Sequence, residues 1–289
     1  MSLSVLLAGH AWADDSAPLP VAPMLPTLEL QVPPLKSAPL VDGNLDEWGE
    51  VKPYAIPVSP TLEKDARNRV GKKTVELRVG IFDNRFYLAA RWPDDAPDEK
   101  FRPWRWRDGK YRRTETRDDQ FVIRFRLSGD YDACMLGKSS YQADVWRWSA
   151  GRSNPAGLAE DQLHIISLEP MEDAAEYRGP HGMVYIIKRN DAGQPFYKNA
   201  PEPTAKGQDE EPGILQTGPG SGSLVDVQAR GVWREGFWHL EMSRALNTGH
   251  EDDVILGGGQ TIPGAIAIFD REGNEHKSVS GTLNFIFPP

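Results

Sequence analysis

Apolar residues recur in short runs at every second position, and Gly, Pro, Asn and Asp break the runs apart. Val75, Leu77 and Val79 alternate with polar or small residues, Asp83-Asn84-Arg85 interrupts, and 86–92 returns as a second apolar run. A period of two puts one set of side chains on one face of a strand, so this stretch predicts a β-hairpin. The same pattern predicts strands over 121–127, 143–148, 161–168, 183–187, 262–269 and 277–287, with a further hairpin of 225–232 and 236–243 around Arg234-Glu235-Gly236. No internal repeat and no amphipathic helix longer than two turns interrupts this order. Many short strands with such punctuation predict an all-β antiparallel sandwich with long loop insertions and few short helices. The least regular part is 151–223, where 194–222 forms a long connection rich in Gly, Pro and acidic residues. Loops of that length are uncommon unless functional.

Three segments follow. Residues 1–13 carry an apolar run closed by Ala11-Trp12-Ala13, the small-x-small form of a signal-peptidase site, and read as a signal peptide or its remnant. That predicts an exported, periplasmic protein. Residues 14–37 form a Pro-rich extended arm laid over the surface, and 38–289 form the sandwich domain. Hydrophobic residues make up 39% of the 289, enough for a sizeable core. The formal charge of −9 argues against nucleic acid as a partner and suits docking to a basic one. No run of apolar residues is long enough to span a membrane as a helix. The single cysteine, Cys134, excludes an internal disulfide and a C-x-x-C-H attachment site, so a haem here would be b-type and non-covalent.

The stretch 133–148 concentrates the candidate chemistry. Met135 lies in a turn-like Gly/Ser segment, and Trp146 and Trp148 follow at i and i+2 on a strand. Two indoles on one face make an apolar shelf beside a soft thioether, a combination that suits a flat macrocycle with iron at its centre. Each residue also has an ordinary reading, as core filler. Cys134 reads as a small buried hydrophobe, with thiolate ligation as the sharper alternative. His164, His181, His239 and His250 are scattered without zinc-like spacing and read as structural or surface residues. The basic run of Arg102, Arg105, Arg107, Lys110, Arg112, Arg113 and Arg117 is either a solvated loop or a surface that neutralises carboxylates or docks a partner. Gly257-Gly258-Gly259 reads as a turn, and no catalytic triad, nucleophile elbow or phosphate loop is present.

Three motifs occur in one order: Asp42-Gly43-x-Leu45-x-x-Trp48, then Met135-x-Gly137 with Asp144-Val145-Trp146-x-Trp148, then Phe269-Asp270 followed by Lys277-Ser278-Val279-Ser280. Over roughly 38–287 the chain resembles the haem-binding subunits (gamma subunits) related to ethylbenzene dehydrogenase, the dimethyl-sulfoxide-reductase-type haem-binding domain. The resemblance implies a β-sandwich holding one b-type haem between a Met and a Lys, in an exported electron-transfer protein that is a subunit rather than a catalyst by itself. Met135 matches the Met ligand and Lys277 the Lys of the last motif. An amine binds iron only when deprotonated, which burial beside a metal favours. His276 adjoins Lys277 and is the competing ligand; on a strand only one of the two can face the iron. Implied partners are iron–sulfur and molybdopterin subunits or a soluble cytochrome c. The alternative is a non-catalytic module of the family 9 carbohydrate-binding type, which shares the first motif and could stack some of the nine Trp on sugar rings.

Overall fold

The computed structural model describes residues 20–273 and 276–289. The signal peptide expected over 1–13 and the first residues of the arm lie outside them. The strands of the main sheet are β1 (Leu28–Gln31), β2 (Tyr54–Pro60), β3 (Lys73–Phe82), β4 (Arg85–Pro93), β5 (Gln120–Gly129), β6 (Tyr141–Ser149), β7 (Glu160–Ser167), β8 (Ala175–Gly179), β9 (Gly182–Asn190), β10 (Gln228–Arg234), β11 (Phe237–Ala245), β12 (Thr261–Phe269), β13 (Ser278–Val279) and β14 (Leu283–Ile286). They neighbour one another in the order β8-β9-β7-β6-β5-β12-β13-β2-β3-β4-β11-β10, with β14 pairing β12 and β1. Val279 of β13 pairs with Ala267 on one side and Ser59 on the other, and there the sheet turns back over itself. The result is the expected all-β antiparallel sandwich. Among the described residues the helical elements are three short 3-10 turns, and no helix is long and apolar enough to cross a membrane.

Alternation explains how the layers meet. Val75, Leu77 and Val79 of β3 and Phe121, Ile123 and Phe125 of β5 are fully buried and belong to one core. Aromatic pairs bridge the layers: Phe86 meets Phe125 edge-on at 6.0 Å, Trp92 stacks on Phe121 at 5.5 Å, and Trp148 meets Trp238 at 5.0 Å. Such pairs add about 0.5–1.5 kcal/mol each beyond simple burial.

Two expectations need correction. The arm is not merely laid on the surface: β1 pairs in parallel with β14, and Leu30 and Val32 enter the core. Its alternating Leu28-Glu29-Leu30-Gln31-Val32 overrides the surrounding prolines. The closing strand expected over 277–287 is split into β13 and β14, because the arm crosses at Gly281. A Cβ there would run into the carbonyl oxygens of Leu25 and Pro26.

The first motif is an anchor. Glu241 on β11 accepts hydrogen bonds from Trp48 Nε1 (2.8 Å), the Gly43 amide (2.8 Å) and the Asp42 amide (3.1 Å). Gly43 has φ +83°, which favours glycine, and Trp48 is buried.

Candidate functional site

The sheet formed by β5, β6, β7, β9 and β12 has a second, outward face, and it is not left bare. Val122 and Arg124 of β5, Val145 and Arg147 of β6, Gln162 and His164 of β7, Lys188 of β9 and Ala267 and Phe269 of β12 line a cleft of about 320 Å³ on it. An adjoining apolar compartment is roofed by Ala22–Leu25 of the arm and by the 133–136 turn. Met135, Lys188, Lys277 and Val279 border both compartments.

The turn carrying Met135 is held by specific bonds. Asp132 Oδ1 accepts from the Cys134 amide at 2.8 Å, and the Gly137 amide donates to Cys134 O at 3.0 Å. Gly137 leaves room for the Asp132 carboxylate, which a Cβ would strike. Arg124 reaches out of the sheet and donates to Ala133 O (2.6 Å) and Tyr141 Oη (3.1 Å), pinning the turn to the outward face. Cys134 packs with Leu136, Tyr141 and Val145, and burial pushes its thiol upward, so it behaves as the expected hydrophobe.

Polar side chains gather at the inner end of the cleft. Arg147 donates twice to Gln120 Oε1 (2.9 and 2.7 Å), and its Nε lies 4.0 Å from Glu160. Arg152 forms a buried bidentate pair with Asp118 at 3.1 Å for both contacts. Tyr197 Oη donates to Glu160 Oε1 at 2.5 Å. His164 touches Gln162 Oε1 through Nε2 at 3.3 Å, while its Nδ1 is buried with no hydrogen-bond partner. Burial, then Lys188, Arg124, Arg147 and Lys277, drives its pKa well below the usual imidazole range, so the ring is neutral. Cationic groups thus line the cavity, where the buried Arg124 bonds to neutral oxygens and the half-buried Arg147 bonds to Gln120 and lies near Glu160.

The outward face gathers some expected residues and leaves out others. Met135 and Lys277, far apart in sequence, border the same cleft. Trp146 and Trp148 do share a face, as their spacing requires, but it is the inner one. Both are fully buried in the sandwich core, Trp146 against Phe86 and Phe125 and Trp148 against Trp92 and Trp238. The shelf predicted from them is core packing, and their neighbours Val145 and Arg147 line the cleft instead. His276 is separated from Met135: its Nδ1 lies 2.9 Å from the Asp65 carboxylate, in a polar cleft with Arg67, Gln120 and Glu272. It therefore does not compete with Lys277 for the same space.

The basic run is a surface hairpin of Trp104–Arg107 and Lys110–Arg113, to which Glu210–Glu211 adds a strand. Arg105 pairs with Glu210 at 2.6 Å and Arg102 with Glu115 at 3.0 Å. The cations that reach the cleft are others. Sequence reasoning passed over Arg124 and Arg147 and read His164 as structural or surface, although charged residues inside apolar strands and the period-two stripe Glu160, Gln162, His164 were visible signals. It also passed over Met24, a second thioether at the rim of the apolar compartment. His239 lies between Arg234 (2.7 Å) and Arg91 (3.3 Å) and His250 pairs with Asp226, both away from the cleft, as structural residues would. Five Trp (48, 92, 146, 148 and 238) are core residues, which leaves few to stack on sugar.

Fold and cleft together define a β-sandwich protein with a cleft that lies outside the sandwich core. The profile of the ethylbenzene dehydrogenase family matches residues 46–280, and the chain belongs to that family. A search of curated protein sequences finds no match. Among solved structures, a family 9 carbohydrate-binding module from Caldicellulosiruptor kristjanssonii in complex with glucose is similar at 10% identity, over 90% of this chain and 97% of that one, with a TM-score of 0.41. A putative carbohydrate-binding protein from Bacteroides uniformis is similar at 10% identity, over 89% and 98%, with a TM-score of 0.43.

Proposed function

We propose that this chain is a periplasmic electron-transfer protein that holds one b-type haem non-covalently in the outward cleft, with Met135 and Lys277 as the axial ligands. It would serve as a subunit, or a relative of the subunit, of a molybdenum-containing oxidoreductase. Its redox partners would be iron–sulfur or molybdopterin subunits or a soluble cytochrome c. The observation that carries this reading is the convergence of Met135 and Lys277 where the apolar compartment meets the more polar cleft. Membership of the ethylbenzene dehydrogenase family supports the oxidoreductase context.

The residues present suit the group. A thioether and an amine are both iron ligands, and Val122, Val145, Ala267, Phe269 and Val279 offer apolar walls. Haem carries two carboxylates. Arg124, buried and bonded to neutral oxygens, and Arg147, half-buried and 4.0 Å from Glu160, offer the compensating charge, and His164 Nδ1 is a buried polar atom in want of a partner. When bound, haem supplies one-electron exchange between ferric and ferrous iron, and two protein ligands leave no open position for substrate. Lys277 must reach the site as the neutral amine, so binding releases a proton.

The test is optical. Protein produced with haem should show a Soret band and a low-spin spectrum. Met135→Ala and Lys277→Ala should each lose the low-spin form or the haem, whereas Met24→Ala and His276→Ala should keep it. Wild-type spectra in both ligand variants, or a colourless wild type after haem addition, would overturn the assignment.

A further inference from the structure

Behind the cleft, on the inner face of the same sheet, five aspartates crowd around one arginine. Arg244 of β11 is fully buried and contacts Asp144 (2.6 Å), Asp253 (3.1 Å) and Asp161 (3.4 Å) through Nη1, and donates to Val254 O (2.8 Å) through Nη2. Asp191, at the end of β9, and Asp252 extend the group. The nearest carboxylate oxygens of Asp191, Asp252 and Asp253 all lie within 4.8 Å of one another. One guanidinium cannot balance that charge.

The cluster is unlike an ordinary acidic surface because four of its buried oxygens, on Asp144, Asp161 and Asp191, have no hydrogen-bond partner. Asp191 is 6% exposed, and neither of its carboxylate oxygens has a hydrogen-bond partner. Asp161 Oδ1 and Asp144 Oδ1, on fully buried residues, are likewise unpartnered. A buried polar atom without a partner costs about 1–3 kcal/mol, and more if it is charged, so such a grouping calls for a counter-charge. The remaining bonds hold the ring open: Ser223 Oγ donates to Asp252 Oδ1 (3.3 Å), and Thr248 Oγ1 donates to Asp253 Oδ2 (2.5 Å). At the rim, His250 Nδ1 lies 2.7 Å from Asp226 and 3.8 Å from Asp253. The contrasting trio of Asp98, Asp119 and Asp270 is not orphaned in this way. Both oxygens of Asp119 are taken, by Trp238 Nε1, the Asp98 amide and the Arg271 amide.

We propose that Asp191, Asp252 and Asp253 form a binding site for a calcium-like divalent cation, with the buried Asp161 carboxylate adding to the charge behind it. All-oxygen donors select a hard cation rather than zinc or copper. Oxygens on opposite sides of a calcium ion are about 4.6–5.2 Å apart, whereas magnesium demands shorter bonds and gives up its waters reluctantly. The ion fastens the loop that carries Asp252 and Asp253 to the ends of β7 and β9. This site does not depend on haem.

The experiment is a calcium titration of the full chain after dialysis against EDTA, read by calorimetry and by thermal unfolding. One calcium per chain is expected to bind, magnesium more weakly, with the unfolding midpoint rising by about 5 °C at calcium 100 times its Kd. Asp191→Asn and Asp252→Asn should each weaken calcium at least about ten-fold. In EDTA the Asp191→Asn protein should unfold no earlier than wild type, because a buried acid has been removed without loss of packing. Asp119→Asn should leave calcium affinity unchanged. Absence of calcium binding to wild type between about pH 6 and about pH 9, or undiminished affinity in Asp191→Asn, would overturn the site.

Discussion

Trp146 separates core packing from cofactor contact most sharply. Its indole is fully buried, 5.9 Å from Phe86 and 5.2 Å from Phe125 by ring centroids, with the Arg244 guanidinium 4.9 Å over its ring. Truncating a buried Trp to Ala costs about 3–5 kcal/mol in transfer and cavity energy. One correction lowers that figure. The indole Nε1 is buried without a partner, so removing it relieves about 1–3 kcal/mol of unpaired polarity. Trp146→Ala is therefore expected to cost about 2 kcal/mol. Trp146→Phe, which keeps most of the ring and discards the orphan N–H, should fall within about 1 kcal/mol of wild type. The assay is urea unfolding followed by circular dichroism, with unchanged slope as the check that only stability moved. With haem bound as proposed, the spectrum of the folded fraction should be the same in both variants. A cost under about 1 kcal/mol for Trp146→Ala, together with a lost spectrum, would refute the assignment of this face to the core.

Gly231→Ala should destabilise by at least about 1–3 kcal/mol in thermal unfolding, because its Cβ would strike the Trp148 ring. That ring cannot retreat: it is fully buried, and Asn154, which accepts from Trp148 Nε1 at 3.0 Å, also accepts from the Gly231 amide at 2.8 Å. Gly273→Ala, with open space around its Cβ, is the neutral control. Stability should also fall as pH rises. Burial pushes Asp94 up to about 6, and burial together with the nearby Asp94 pushes Asp119 up to about 8. The folded chain then holds protons that the unfolded chain has released above about pH 4. Their contribution is complete below that pH and is lost as pH rises through about 6 and about 8. Unfolding midpoints measured across this range should decline, and Asp119→Asn should flatten the decline; a flat wild-type profile would contradict the assignment.

The amino-acid sequence by itself determined the strands and their parity. Period-two alternation located the β3–β4 hairpin, β5, β6, β7 and β12, because a strand repeats every two residues whatever surrounds it. It also required Trp146 and Trp148 to share one face and Val145 and Arg147 the other. Which face meets which layer was not written there. Both faces of β6 are apolar enough to be buried, one against the opposite sheet and the other beneath the 133–136 turn and the arm, so local pattern gives no preference. The tertiary structure decided it by closing β3, β4 and β11 over the Trp face. The same closure brought Met135 and Lys277 to one cleft, sent His276 to Asp65, and gathered Asp144, Asp161, Asp191, Asp252 and Asp253 around Arg244. Contacts between residues so distant along the chain depend on how the layers pack, and alternation within a single strand carries no information about that.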